Sequence, residues 1–106
     1  MHLSKYQAEA RKTAVYPEQF KVIYPTLGLA GEAGETVEVV KKAIRKGTLA
    51  QLDTDKVVKE MGDVLWYLAN LASDLGLNLD TVAMVNLEKL ADRAARGVIK
   101  GEGDNR

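Results

Sequence analysis

The chain has 106 residues, 46% of them hydrophobic and 28% charged, a composition that suits one globular domain with a modest core. Fifteen basic and fifteen acidic residues cancel, so no overall field draws the protein to a polynucleotide or to an anionic membrane. Cysteine is absent, which excludes disulfides and thiolate metal sites, and with no apolar leader and no apolar run of membrane length the expected compartment is the cytoplasm.

Only Pro17 and Pro25 interrupt a chain otherwise rich in Ala, Leu, Glu and Lys, so the expected class is all-α. Ser4 can cap a first helix through Tyr6, Ala10 and Ala14, which should stop near Val15 because Pro17 pushes the residue before it out of helical geometry. Pro17 to Phe20 reads as a short connector. Pro25 suits the start of a second helix, whose pattern runs to about Lys46 with Gly47 as its stop. Ala33, Val37, Val40 and Ile44 form its apolar stripe, with Glu32, Glu35 and Glu38 to one side. Lys41, Lys42, Arg45 and Lys46 complement the negative end of its dipole.

A third helix is predicted from a cap at Asp53 or Thr54 to Gly76, with Val57, Met61, Val64, Leu68, Leu71, Ala72 and Leu75 on its apolar face. Beside that face Glu60, Asp63, Tyr67, Asn70 and Asp74 follow one another at steps of three or four, a continuous polar line. Asn78 can cap a fourth helix, apolar at Leu79, Ala83, Leu87, Leu90 and Ala94 and closed by Gly97, on which Asn86, Lys89 and Arg93 share one line. Residues 1–100 are expected to form the domain and 101–106 a flexible tail. Four helices joined by short turns predict a four-helix-bundle-like architecture with the second and third helices antiparallel.

The chemistry concentrates in two acidic pairs. Helical residues three apart lie about 60° apart around the axis, so Glu32 with Glu35, and Glu60 with Asp63, each share a face. Carboxylates so placed repel one another without a cation, and hard cations such as Mg²⁺ prefer oxygen ligands. Facing each other, the two pairs would make a metal cage. Gly31, Gly34 and Gly62 border them although helix interiors disfavour glycine by about 1 kcal/mol relative to alanine, which suggests that close approach matters there. The competing reading is a non-catalytic helical interaction or regulatory module whose acidic stripe is a solvated surface; stabilisation by millimolar Mg²⁺ beyond ionic screening separates the two. A di-iron carboxylate bundle would need Glu-x-x-His ligands, and His2 is the sole histidine.

Glu32-Ala-Gly-Glu35 followed by Glu60-Met-Gly-Asp63 resembles the ExxE…ExxD signature of MazG-like nucleotide pyrophosphohydrolases, in the all-α NTP pyrophosphatase superfamily. The flanking Tyr24-Pro-Thr-Leu-Gly-Leu-Ala-Gly-Glu-Ala-Gly-Glu and Gly62-Asp-Val-Leu-Trp-Tyr-Leu-Ala extend the resemblance through Arg93. It implies house-cleaning hydrolysis of nucleoside triphosphates to the monophosphate and pyrophosphate with Mg²⁺ or Mn²⁺, Glu32, Glu35, Glu60 and Asp63 being the metal ligands and catalytic carboxylates. Many members carry a further glutamate where this chain has Gly31, and Glu38 is the candidate for an outer-sphere contact in its place. The resemblance also implies that Tyr67 meets the base, that Asn86, Lys89 and Arg93 reach the phosphates, and that the chain assembles as a homodimer or homotetramer. Trp66 or Tyr67 as ordinary core or interface aromatics, and the Asn86 line as a solvated face, are the plain alternatives.

Overall fold

The computed structural model describes residues 1–106. It is all-helical, with α1 (Leu3–Arg11), α2 (Ile23–Arg45), α3 (Thr54–Asp74) and α4 (Leu79–Arg96) separated by short 3-10 turns at Glu18–Phe20 and Leu49–Gln51 and by the tight bend before Asn78. Asp53 caps α3 by accepting a hydrogen bond from the Lys56 amide, and Asn78 caps α4 by accepting one from Asp80. Gly47, Gly76 and Gly97 each follow a helix with φ near +70°, the left-handed conformation that satisfies the last carbonyls.

The first helix departs from expectation at both ends. It starts after His2 rather than at Ser4 because Leu3 packs onto the core, and it stops at Arg11. There Thr13 turns the chain, its hydroxyl donating to the Ala10 carbonyl at 3.0 Å and accepting from Trp66 Nε1 at 2.8 Å. The second helix starts two residues before Pro25, which lies buried in the first turn, where a missing N–H costs nothing.

α2 and α3 form an antiparallel hairpin. Tyr67 lies against Gly28, one turn further along α2 Glu32 meets Asp63, and the connector closes the far end. α1 packs across α3, and α4 leans on α1 and α3. The buried centre is small: Ala10, Ala69, Ala72 and Leu79, with Leu3, Tyr6, Leu65, Trp66 and Leu68 packed around it. Gln7 stitches this junction, donating to Ser73 Oγ and the Leu77 carbonyl at 2.9 Å each and accepting from the Leu79 amide at 2.8 Å.

Much of the predicted core surface faces outward. Val37, Ile44, Met61 and Leu87 are all more than half exposed. Between α2 and α3 the apolar stripe opens as a groove of about 910 Å³, lined by Ala33, Val37, Val40 and Ile44 opposite Met61, Val64, Leu65 and Leu68. The sequence pattern locates the stripe correctly, but no other element of the chain lies over it.

Candidate metal and nucleotide site

Glu32 comes from the third turn of α2, and Glu60 and Asp63 from the second and third turns of α3. Antiparallel pairing brings one carboxylate oxygen from each within 4.8 Å of the other two. Glu32 and Glu60 are half-buried at the helix interface while Asp63 is exposed. Partial burial first, and then the Asp63, Glu60 and Glu35 carboxylates, push the Glu32 carboxyl above the usual glutamate range. Three oxygens at this spacing suit a hard divalent cation, whose oxygen ligands sit at roughly 2.0–2.6 Å from the ion.

Glu35 lies close enough to act on Glu32 through space but does not join that triad; it is exposed one turn along α2. Glu38 points its carboxylate at Lys41 Nζ, 2.7 Å away, which holds it below the usual glutamate range. The glycines bordering the acidic pairs have a simpler environment than their pattern suggests, since a side-chain carbon at Gly31, Gly34 or Gly62 would meet nothing within 4 Å. The close approach occurs instead at Gly28, where a β-carbon would collide with the ring of Tyr67.

Aromatic rings stand beside the carboxylates. Burial raises the Tyr67 phenol above its ordinary range, with Tyr24, Glu32 and Asp63 adding to the effect, and burial with Asp63 does the same to Tyr6. Tyr24 lies with its centroid 6.2 Å from that of Tyr67 and stacks on Tyr16 at 5.0 Å. Trp66 packs edge-to-face on Tyr67 with centroids 5.0 Å apart, while its Nε1 donates to Thr13 and its ring joins the core. The sequence places Tyr6 on the first helix and Tyr24 two turns before Glu32 at the head of α2, but gives neither a place beside the carboxylates; the usable signal for Tyr24 is its i, i+4, i+8 spacing with Gly28 and Glu32.

The fourth helix is placed differently. Arg93 is buried, and its Nη2 donates to the Gly103 carbonyl at 3.2 Å and to Asp104 at 3.3 Å, while Lys89 Nζ reaches the same Asp104 oxygen at 3.1 Å. Asn86 is exposed on the same helix. The residues expected to be a flexible tail thus fold back onto α4, with Arg106 donating to the Val98 and Ile99 carbonyls at 2.9 Å each. Lys89 and Arg93 converge on this segment and not on the acidic triad.

No helix is long and apolar enough to cross a membrane. No solved structure matches the chain. The Gene 37 protein of Mycobacterium phage L5 is 46% identical over 114 aligned positions that cover the whole of both chains. The MazG nucleotide pyrophosphohydrolase domain matches residues 24–98, which takes in α2 after Ile23, α3, α4 and every carboxylate of the triad. The chain therefore belongs to the MazG nucleotide pyrophosphohydrolase family.

Proposed function

We propose that the protein hydrolyses nucleoside triphosphates to nucleoside monophosphate and pyrophosphate in the cytoplasm, with Mg²⁺ as its natural cofactor and Mn²⁺ as a substitute. The observation that carries this reading is the convergence of Glu32, Glu60 and Asp63 on one point between two helices of the matched domain. The donors are all carboxylate oxygens, with no thiolate or imidazole among them, the set a hard divalent cation prefers. When bound, such a cation neutralises the triphosphate and polarises the scissile linkage.

The chain's own residues supply the rest. Water attacks the α-phosphorus in line, the bond to the bridging oxygen of pyrophosphate breaks, and the water proton passes to a neighbouring glutamate. Glu35, exposed beside Glu32, completes the acidic wall, and Glu38 one turn on acts through solvent. Tyr67 flanks the base. Asn86, Lys89 and Arg93 lie on α4, and in an assembled homodimer or homotetramer Lys89 and Arg93 reach the phosphates by exchanging the Asp104 carboxylate that holds them for the substrate's phosphate oxygens. The apolar groove beside the triad supports such an assembly.

The test is product analysis across the standard NTPs and dNTPs in Mg²⁺. Pyrophosphate and monophosphate are expected; inorganic phosphate with a nucleoside diphosphate would contradict the reading. Glu32→Gln and Asp63→Asn should each lower turnover by orders of magnitude. Ca²⁺ should support turnover poorly, because its larger and looser shell misplaces the attacking water.

A further inference from the structure

The polar line of α3 does not end at the acidic triad. Below Asp63 and Tyr67 it continues to Asn70 and Asp74, both withdrawn from solvent: Asn70 is 1% exposed and the Asp74 side chain 0%. Asp74 gathers the chain that leads into the site. Its Oδ2 accepts from the Tyr16 hydroxyl at 2.7 Å and from the Val22 amide at 2.9 Å, and its Oδ1 faces Arg11 Nη1 at 2.7 Å. Arg11 also donates to Tyr16 at 3.0 Å and to Asn70 at 3.2 Å.

Val22 is held at φ 68° and ψ −50°, a strained γ-turn closed by the Ile23 amide donating to the Lys21 carbonyl at 2.7 Å, which a β-branched residue adopts only when its surroundings demand it. The demand is visible here, since that φ aims the Val22 amide at Asp74 as the chain turns into α2. Two residues later comes Tyr24. One face of its ring is covered by Tyr16, itself tied to Asp74, yet Tyr24 remains 44% exposed beside Tyr67. A strained residue and four anchored groups thus fix one exposed aromatic ring at the edge of the carboxylate site.

We propose that Tyr24 stacks on the nucleobase as a second aromatic surface next to Tyr67, and that Asp74, acting through Tyr16 and Val22, is the positioning residue that sets its ring. The proposal rests on the reading of the site as one for nucleoside triphosphates and names a specificity element within it. The Tyr24 and Tyr67 rings are tilted by 47° with centroids 6.2 Å apart, too close for a base to lie sandwiched between them. They form two adjoining walls of one corner. A planar base entering with its phosphates toward the triad meets the free face of Tyr24, while the phosphates themselves make no use of it.

Steady-state kinetics on the full-length protein test this. Tyr24→Ala should raise KM for nucleoside triphosphates by about tenfold, in line with the loss of one base–aromatic stack, with kcat retained and inhibition by inorganic triphosphate unchanged. Tyr24→Phe, which keeps the ring, should behave as the parent. Tyr16→Ala removes the supporting ring without burying an unpaired charge, so it reads the positioning role even where Asp74→Asn does not fold; it should raise KM while sparing kcat. A parental KM in Tyr24→Ala, or equal losses toward the nucleotides and inorganic triphosphate, overturns the stacking role. A parental KM in Tyr16→Ala alongside a raised one in Tyr24→Ala overturns the positioning role. If the parent hydrolyses no nucleoside triphosphate, the function itself fails first, and that result is distinct from either.

Discussion

Glu32 has its proton affinity raised by burial and by three neighbouring carboxylates, so the folded state works against its own charge. A carboxyl raised on folding costs no stability below its unfolded pKa and costs it as the pH climbs through its folded pKa. Removing one negative neighbour should relieve it. In metal-free buffer at pH 7, Asp63→Asn and Glu35→Gln are therefore expected to melt at the parent's temperature or above it. In millimolar Mg²⁺ the order should reverse, because the parent gains binding energy that the variants lack. Thermal melts with and without the ion decide it; clearly lower metal-free melting of both variants would mean that these carboxylates are structural partners and not ligands. Asp74 has the opposite sign. Despite its burial, the Val22 amide, the Tyr16 hydroxyl and Arg11 hold its pKa below the usual aspartate range. Its contribution is present above the unfolded aspartate pKa and is lost as pH falls through the lowered folded value. Breaking a fully buried pair costs about 3–5 kcal/mol, but Arg11 is 37% exposed, so about 2 kcal/mol is expected for Asp74→Asn after allowing for solvent screening. The variant's stability should also vary less between neutral pH and pH 3, as urea melts at each pH would register.

Among the elements, the α2–α3 hairpin carries the site and its register decides which residues meet. Gly28 pins that register through Tyr67, and here helix propensity and packing predict opposite signs. Alanine is favoured over glycine in a helix interior by about 1 kcal/mol, whereas overpacking a close contact costs about 1–3 kcal/mol. Gly28→Ala should therefore destabilise the protein, and Gly34→Ala, with open space around it, should stabilise it by up to about 1 kcal/mol. Denaturant midpoints that rise in both variants would remove Gly28 as a register pin. The same contrast marks what could be read beforehand. Caps at Asp53 and Asn78 and the stops before Gly76 and Gly97 are local signals, legible because each is satisfied within a few residues of chain. The start of α2 at Ile23 is not local: it depends on Asp74, 52 residues away, accepting the Val22 amide. The ring partners of Tyr24, Tyr16 and Tyr67, could not be read for the same reason, and Gly34 and Gly62 misled because a glycine's rarity in helices says that something is unusual without saying where the neighbour is. Lys89 and Arg93 show the converse, since a basic line on a helix does not reveal that the nearest carboxylate is on the chain's own tail.

At the scale of the molecule, the radius of gyration is 16.6 Å, against about 13 Å for a compact domain of 100 residues. Only 8 of 106 residues are buried, so the four helices form an open layer and not a closed bundle. The uncovered surface is concentrated in the groove between α2 and α3, where Val37 and Ile44 are each 61% exposed and Met61 58%. Full burial of such a side chain contributes about 1.5–3 kcal/mol, and an antiparallel helix hairpin offers its own groove as the complementary half of a two-fold contact. A second copy seated there would complete a layer of helices on each side of a shared core. It would also lie beside Glu32, Glu60 and Asp63, since Ala33, Met61 and Gly62 line the groove. Dimer or tetramer formation is therefore expected at micromolar concentration, with a melting temperature that rises with protein concentration. Val37→Glu with Ile44→Glu places two charges in the groove at positions already exposed in the single chain, so the double variant should run as a monomer in light scattering while keeping its helical circular dichroism. Its melting temperature should be lower than the parent's and independent of concentration, and its turnover should drop because the site loses its neighbouring wall. A parent that scatters as a monomer at tens of micromolar, or a double variant that still associates, would show that the groove is not where two copies meet.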